Sequence, residues 1–203
     1  MKQESESKRK LLEAAIDLIW KSSYGAVSVD DICEKAGVNK GSFYYAFKSK
    51  SDLAVAAYER YWEHKRARMD GIFSPQVPPL QRLDNLIEGI IADQLGRYQE
   101  YGKMPGCPFC SIGSELSTQD ENIRIAADKI GAKMAKYNES LIRDLATEGL
   151  IETNNPAELA QEVGAYLTGV LMQAKIENSP NHLDRLKNGV VRLLGIKAQP
   201  AAV

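Results

Sequence analysis

Val38-Asn39-Lys40-Gly41-Ser42-Phe43-Tyr44-Tyr45-Ala46-Phe47-Lys48-Ser49-Lys50 packs four aromatic rings and three lysines into thirteen residues. Phe43 and Phe47 stand four apart, so a helix puts both on one face, where they anchor it against Ile32 and Leu53. Tyr44 and Tyr45 then fall on the other side. A helix lying in the major groove must bring its backbone close to the duplex in its first turn. Gly41 permits that approach, while Asn39, Lys40 and Ser42 supply donors for phosphates or base edges. A tyrosine phenol can bond a phosphate, or its ring can touch a thymine methyl, and Lys48 and Lys50 sit where a second row of phosphates would run. An ordinary short helix with a solvated basic face would carry the same three lysines, and the residues alone leave both readings open.

Upstream, Lys8 to Ser23 places Leu11, Leu12, Ala15, Ile16, Ile19 and Trp20 on one helical face. Tyr24-Gly25 ends this segment, with Gly25 expected as a left-handed cap. Ser28 opens the next helix, with Asp31 three residues on in the pattern of a capping box, and Gly37 stops it. Ser49 then caps a long helix running from Leu53 through Tyr61, Trp62 and Met69 to about Ile72. At 1.5 Å per residue it spans roughly 30 Å, enough to bridge two domains. Gly71, Ser74, Pro75, Pro78 and Pro79 mark the boundary.

Downstream the helical period continues, and no strand alternation competes with it. One helix carries Leu83, Leu86, Ile87, Ile90, Ile91, Leu95 and Tyr98, and is interrupted over 102–108. A short helix from Cys110 to about Ser117 leads to a long one from about Glu121 to Glu148. Asn155-Pro156-Ala157-Glu158 is a start signal with cap, first-turn proline and acid. The helix behind it, to about Glu177, is apolar around much of its girth. Ser179-Pro180 starts a last helix with Leu183, Leu186, Val190, Leu193 and Leu194. The expected fold is all-α: a three-helix unit at 8–68, with its helix-turn-helix at about 28–47, joined by the long helix to a larger helical domain at 80–195.

Across 203 residues, 26 basic and 27 acidic side chains leave the chain near neutral. The balance is uneven. Residues 1–70 hold 13 basic and 11 acidic side chains, against 13 and 16 in the remainder, so only the amino-terminal part leans basic. The polar amino terminus carries no secretory signal, and no apolar run approaches the ~18 residues of a membrane span. A cytoplasmic protein with no membrane partner and no cofactor is expected.

From Gly37 to Lys50, together with Tyr24-Gly25 and Val29-Asp30-Asp31-Ile32, the sequence resembles the TetR/AcrR family of bacterial transcriptional regulators. The resemblance covers about residues 8–68, with glycine, aromatics and lysine all in register. Asn39 and Ser42 stand where serine and threonine are commoner, and such changes bear on the operator sequence. The resemblance implies that Ser28, Lys40, Gly41, Ser42, Tyr44, Tyr45 and Lys50 face DNA. It also implies a homodimer on a palindromic operator, with the last two long helices forming a four-helix interface. A repressor released by a small-molecule effector is the implied function. Ile91, Leu95, Tyr98, Phe109, Met134, Tyr137, Tyr166, Val170 and Gln173 are candidate effector-pocket residues, although aromatic and methionine residues at helical spacing commonly form plain core. Mostly apolar walls suit an apolar or aromatic effector, and a small apolar or electrophilic effector is the expected partner.

Pro105-Gly106-Cys107-Pro108-Phe109-Cys110 carries a separate signal. A Cys-x-x-Cys pair raises metal and redox chemistry. A tetrahedral metal site needs about four ligands, and Cys33, His64 and His182 are scattered, so no metal is expected. A thioredoxin-like enzyme wants a βαβ setting, which the pattern lacks. If Pro108 opens the short helix, Cys107 sits at its positive end, where a thiol is acidified, and Cys110 could resolve a sulfenate. Two small apolar residues packing a short helix are the plainer account of the pair. In some members of the family a cysteine in this region senses electrophiles. A thiol-based sensor or thiol-disulfide enzyme is therefore the alternative to a ligand-released repressor.

Overall fold

The structure, a computed structural model, describes residues 5–196. It contains nine α-helices among the described residues: α1 Glu6–Lys21, α2 Val29–Ala36, α3 Lys40–Ala46, α4 Lys50–Ile72, α5 Pro79–Tyr101, α6 Pro108–Leu116, α7 Glu121–Thr147, α8 Pro156–Glu177 and α9 Arg185–Leu194. No strand occurs among these residues, and the all-α reading stands. The last helix does not start at Pro180 as expected. A 3-10 turn over Pro180–Asp184 precedes it, because Pro180 and the Ser179 cap close a tight turn before α-helical bonding begins.

The chain forms two compact units. One takes the chain through Ala67 together with Pro108–Gly131; the other takes Arg68–Cys107 and everything from Ala132 on. The region 108–131 groups with the first unit, whereas punctuation in the sequence assigns it to the larger domain. Local breakers show where a helix ends, not which neighbours it joins.

In the first unit, Leu11 and Ala15 of α1, Ile32 of α2, Phe43 of α3 and Leu53 of α4 are each fully buried. Each of the four larger side chains contributes about 1.5–3 kcal/mol, enough to hold α2 and α3, which at 8 and 7 residues are too short to persist alone. Helix α6 joins this core through its aromatic face. Phe109 lies 5.3 Å from the Tyr58 ring and 5.2 Å from the Tyr61 ring, and the Tyr58 hydroxyl donates to the Phe109 carbonyl at 3.0 Å.

The second unit packs Leu83, Leu86 and Ile87 of α5, Leu141, Ile142 and Leu145 of α7, Val163, Leu167, Val170 and Ala174 of α8, and Leu186, Val190 and Leu194 of α9 into one core. Arg82, 3 % exposed, is satisfied there. Its Nε donates to the Val77 carbonyl at 2.6 Å and a terminal nitrogen to Asp144 at 2.5 Å. That buried guanidinium pins the turn ahead of α5 onto α7.

Candidate nucleic-acid interface

Helix α2 begins with a complete capping box. The Ser28 hydroxyl accepts the Asp31 amide at 3.1 Å, and the Asp31 carboxylate accepts the Ser28 amide at 2.7 Å. These bonds hold the Asp31 carboxyl below its ordinary value, the Ser28 hydroxyl contributing most. Gly37 ends α2 at φ +63°, where a side chain would be strained. Asn39 caps α3, its Oδ1 accepting the Ser42 amide at 2.8 Å. The two helices are thus separated by three residues, the spacing of a helix-turn-helix.

Phe43 and Phe47 are buried, at 0 % and 6 % exposure, while Tyr44 and Tyr45 stand out at 58 % and 93 %. The four-residue spacing read from the sequence is responsible for that division. Ser28, Asn39, Lys40, Gly41 and Lys48 are exposed, and Ser42 is half-buried. Lys40 reaches back to Asp30 at 2.8 Å, and that hydrogen bond holds its ammonium above the ordinary value. Cys33 is buried under α2; burial, with Asp30 adding, pushes its thiol up. A thiol so raised is not a reactive one.

Lys50 faces inward. Its Nζ donates to the Tyr24 carbonyl at 2.6 Å and lies 3.9 Å from the centre of the Tyr24 ring. Burial lowers its affinity for a proton, against the pull of Glu115 and Asp31. An ammonium has three donors, so the Tyr24 bond occupies one and leaves others. Gly25 also differs from expectation. Helix α1 ends at Lys21 with Ser22 as its cap, and Gly25 is not among the residues at positive φ. Its missing side chain makes room: the Glu115 carboxylate accepts the Gly25 amide at 2.8 Å.

The nine pocket candidates fall in different settings. Phe109 belongs to the first unit, stacked on α4. Ile91, Tyr98, Met134 and Tyr137 are partly buried against the core of the second unit, and Val170 lies within it. The Tyr137 ring packs at a tilt against Phe73, and its hydroxyl donates to Asp70. The Tyr166 hydroxyl donates to the Arg185 carbonyl at 2.8 Å, tying α8 to α9. Leu95 and Gln173 are exposed. Sequence reasoning missed Asn138, a 5 %-exposed amide in α7 whose Oδ1 accepts no hydrogen bond among the described residues; it looks like any polar position on a helix until its burial is known. It also missed Gln94, whose buried amide makes both hydrogen bonds to the Gly106 backbone, at 3.1 and 3.2 Å. Within the first unit, Ile16, Trp20, Ala54, Tyr58 and Ile112 line a small apolar pocket.

Pro108 opens α6, so Cys107 directly precedes its first turn and Cys110 lies within it. Both sulfurs are thiols and half-buried. No group of three or more His, Cys, Asp or Glu among the described residues is placed to hold a metal ion. No helix there is long and apolar enough to cross a membrane.

The helix-turn-helix is the geometry of a DNA-binding regulator, and comparison with known proteins agrees. Residues 11–57 match the profile of bacterial regulatory proteins of the tetR family, and residues 79–190 match the tetracyclin repressor-like C-terminal domain. The chain belongs to the tetR family of bacterial transcriptional regulators. It is 29% identical over 181 residues to an uncharacterized HTH-type regulator of Lactococcus lactis, covering 88% of both chains. It is 26% identical over 203 residues to the HTH-type transcriptional repressor NemR of Escherichia coli, covering 98% of this chain and 97% of that one. A crystal structure of a TetR regulatory protein from Rhodobacter sphaeroides superposes with a TM-score of 0.82 at 25% identity, over 93% of this chain and 99% of that one.

Proposed function

We propose that the protein is a homodimeric repressor that leaves a palindromic operator when a small apolar or electrophilic effector binds its second unit. The observation that carries this reading is the division of α3 into a buried Phe43–Phe47 face and an exposed Tyr44–Tyr45 face. The proposed DNA surface is Ser28, Asn39, Lys40, Gly41, Ser42, Tyr44, Tyr45, Lys48 and Lys50, with Lys50 using the donors that Tyr24 leaves. Two such surfaces in a dimer meet successive major-groove faces at a spacing of about 34 Å. The partial burial of Ile91, Tyr98, Met134 and Tyr137 supports an effector site on α5 and α7. An effector with higher affinity for the non-binding geometry shifts the population towards it, and α4, unbroken from Lys50 to Ile72, is the element that transmits the change.

Selection from a random duplex pool tests the DNA reading. The wild-type protein should enrich a palindrome and bind it in a salt-dependent way. Lys50→Ala should weaken binding and lower the slope of log affinity against log salt by about one. An unchanged slope would remove Lys50 from the phosphate contacts.

A second reading, thiol sensing, rests on the position of Cys107 immediately ahead of α6 and of Cys110 in its first turn. If it holds, Cys107 alkylates fastest with a pH midpoint below that of an ordinary thiol, and oxidation releases DNA. Alkylation at an ordinary rate with unchanged DNA binding would exclude it.

A further inference from the structure

Between α1 and α2 lies a turn that two other helices reach. Lys50, the first residue of α4, donates to the Tyr24 carbonyl at 2.6 Å and stacks its ammonium on the Tyr24 ring. From α6, the Glu115 carboxylate accepts the Gly25 amide at 2.8 Å. The turn leads within three residues to Ser28, the cap of α2, and Lys50 follows the end of α3 by four. Both ends of the helix-turn-helix are therefore fastened to this one turn, and α6 holds the turn from outside.

Gly25 is matched to that carboxylate. A Cβ built there would stand 2.8 Å from the Glu115 oxygen, so any side chain would push the carboxylate away. The residue is not at positive φ, so a side chain there would disturb the carboxylate contact and not the backbone conformation. Glu115 also lies near enough to Lys50 to favour its charged form.

We propose that Glu115 is a positioning residue for DNA binding: by holding the Gly25 amide it fixes the turn that carries Lys50 and Ser28, and so lets α6 set operator affinity without touching DNA. The proposal rests on the DNA-binding reading above. Its sign separates it from plain electrostatics. Removing a carboxylate near a polyanion strengthens binding by charge alone, whereas losing a positioning bond weakens it.

Four proteins test it: Glu115→Ala, Glu115→Gln, Gly25→Ala and the Gly25→Ala/Glu115→Ala double variant. The probe is the duplex that the wild type enriches from the random pool, and melting temperature is followed alongside. Glu115→Ala and Gly25→Ala should each lose about tenfold in affinity, the scale of one hydrogen bond to a charged group. The double variant should lose no more than either alone, since both remove the same bond. Glu115→Gln keeps an acceptor for Gly25 and should bind at least as tightly as the wild type. Melting temperatures should stay together, because the contact lies at the surface. Unchanged or tighter binding by Glu115→Ala, additive losses in the double variant, or losses that track a falling melting temperature would each overturn the proposal. Failure of the wild type itself to enrich a duplex would instead overturn the DNA-binding reading, and this proposal with it.

Discussion

The residues of α3 divide the labour of the fold between neighbours. Phe43 is completely buried and Tyr45 is 93 % exposed, although only one residue separates them. Phe43→Ala should cost about 3–5 kcal/mol by leaving a cavity that the short helices cannot close. Tyr45→Ala should change stability by less than about 0.5 kcal/mol and yet weaken DNA binding. Denaturant unfolding and duplex binding on the same two proteins check the pair of expectations. Loss of both properties in Tyr45→Ala would mean that the tyrosine packs rather than reads. Lys50 shows the limit of residue-level reading. Its place in the sequence assigns it a phosphate, whereas the structure shows one of its donors already held by the Tyr24 carbonyl.

At the scale of elements, the helix starts were legible because capping is local chemistry. Ser28 with Asp31, Ser49 with Asp52, and Asn155 with Glu158 all form the bonds their spacing implies. Helix α6 was displaced: it begins at Pro108, not Cys110, because proline is compatible with a first helical turn. Two carboxylates carry a pH dependence. Asp31 is held below its ordinary value mainly by the Ser28 hydroxyl. Asp120 is lowered first by the Ser51 hydroxyl beside it and then by the Ile123 and Asn122 amides at the start of α7. Groups depressed on folding stabilise the folded state fully above their ordinary value and lose that contribution as the pH falls through the lowered one. Amide protons at the starts of α2 and α7 should therefore exchange faster, relative to the rest of their helices, as the pH drops below about 4. Protection that stays uniform down to pH 2 would show that neither carboxylate secures its helix.

At the scale of the molecule, α8 and α9 keep apolar residues outside the core. Ile176 is 75 % exposed and Leu193 is 38 % exposed, which supports the proposal that a second copy covers these helices. The wild type should sediment as two 22.5 kDa chains. The Ile176→Asp/Leu193→Asp double variant should shift towards the monomer and lose at least about tenfold in operator affinity, since each half then binds alone. A double variant that stays dimeric would move the interface elsewhere on the protein.

The class of fold, the helix starts and the buried face of α3 were all readable along the chain. Each of these follows from side chains within four residues of one another, and the helical period places them without reference to anything distant. The three-residue link between α2 and α3 and the buried pair Phe43–Phe47 were legible on that basis. Only the tertiary structure decided the grouping of 108–131 with the DNA-binding helices, the burial of Asn138 and Gln94, and the use of Gly25. Those depend on pairings such as Gly25 with Glu115, 90 residues apart in the chain, and no local period encodes which distant residue will arrive. The turn beside α2 looked like a place where a helix stops; the carboxylate that reaches it from α6 is what gives its glycine a purpose.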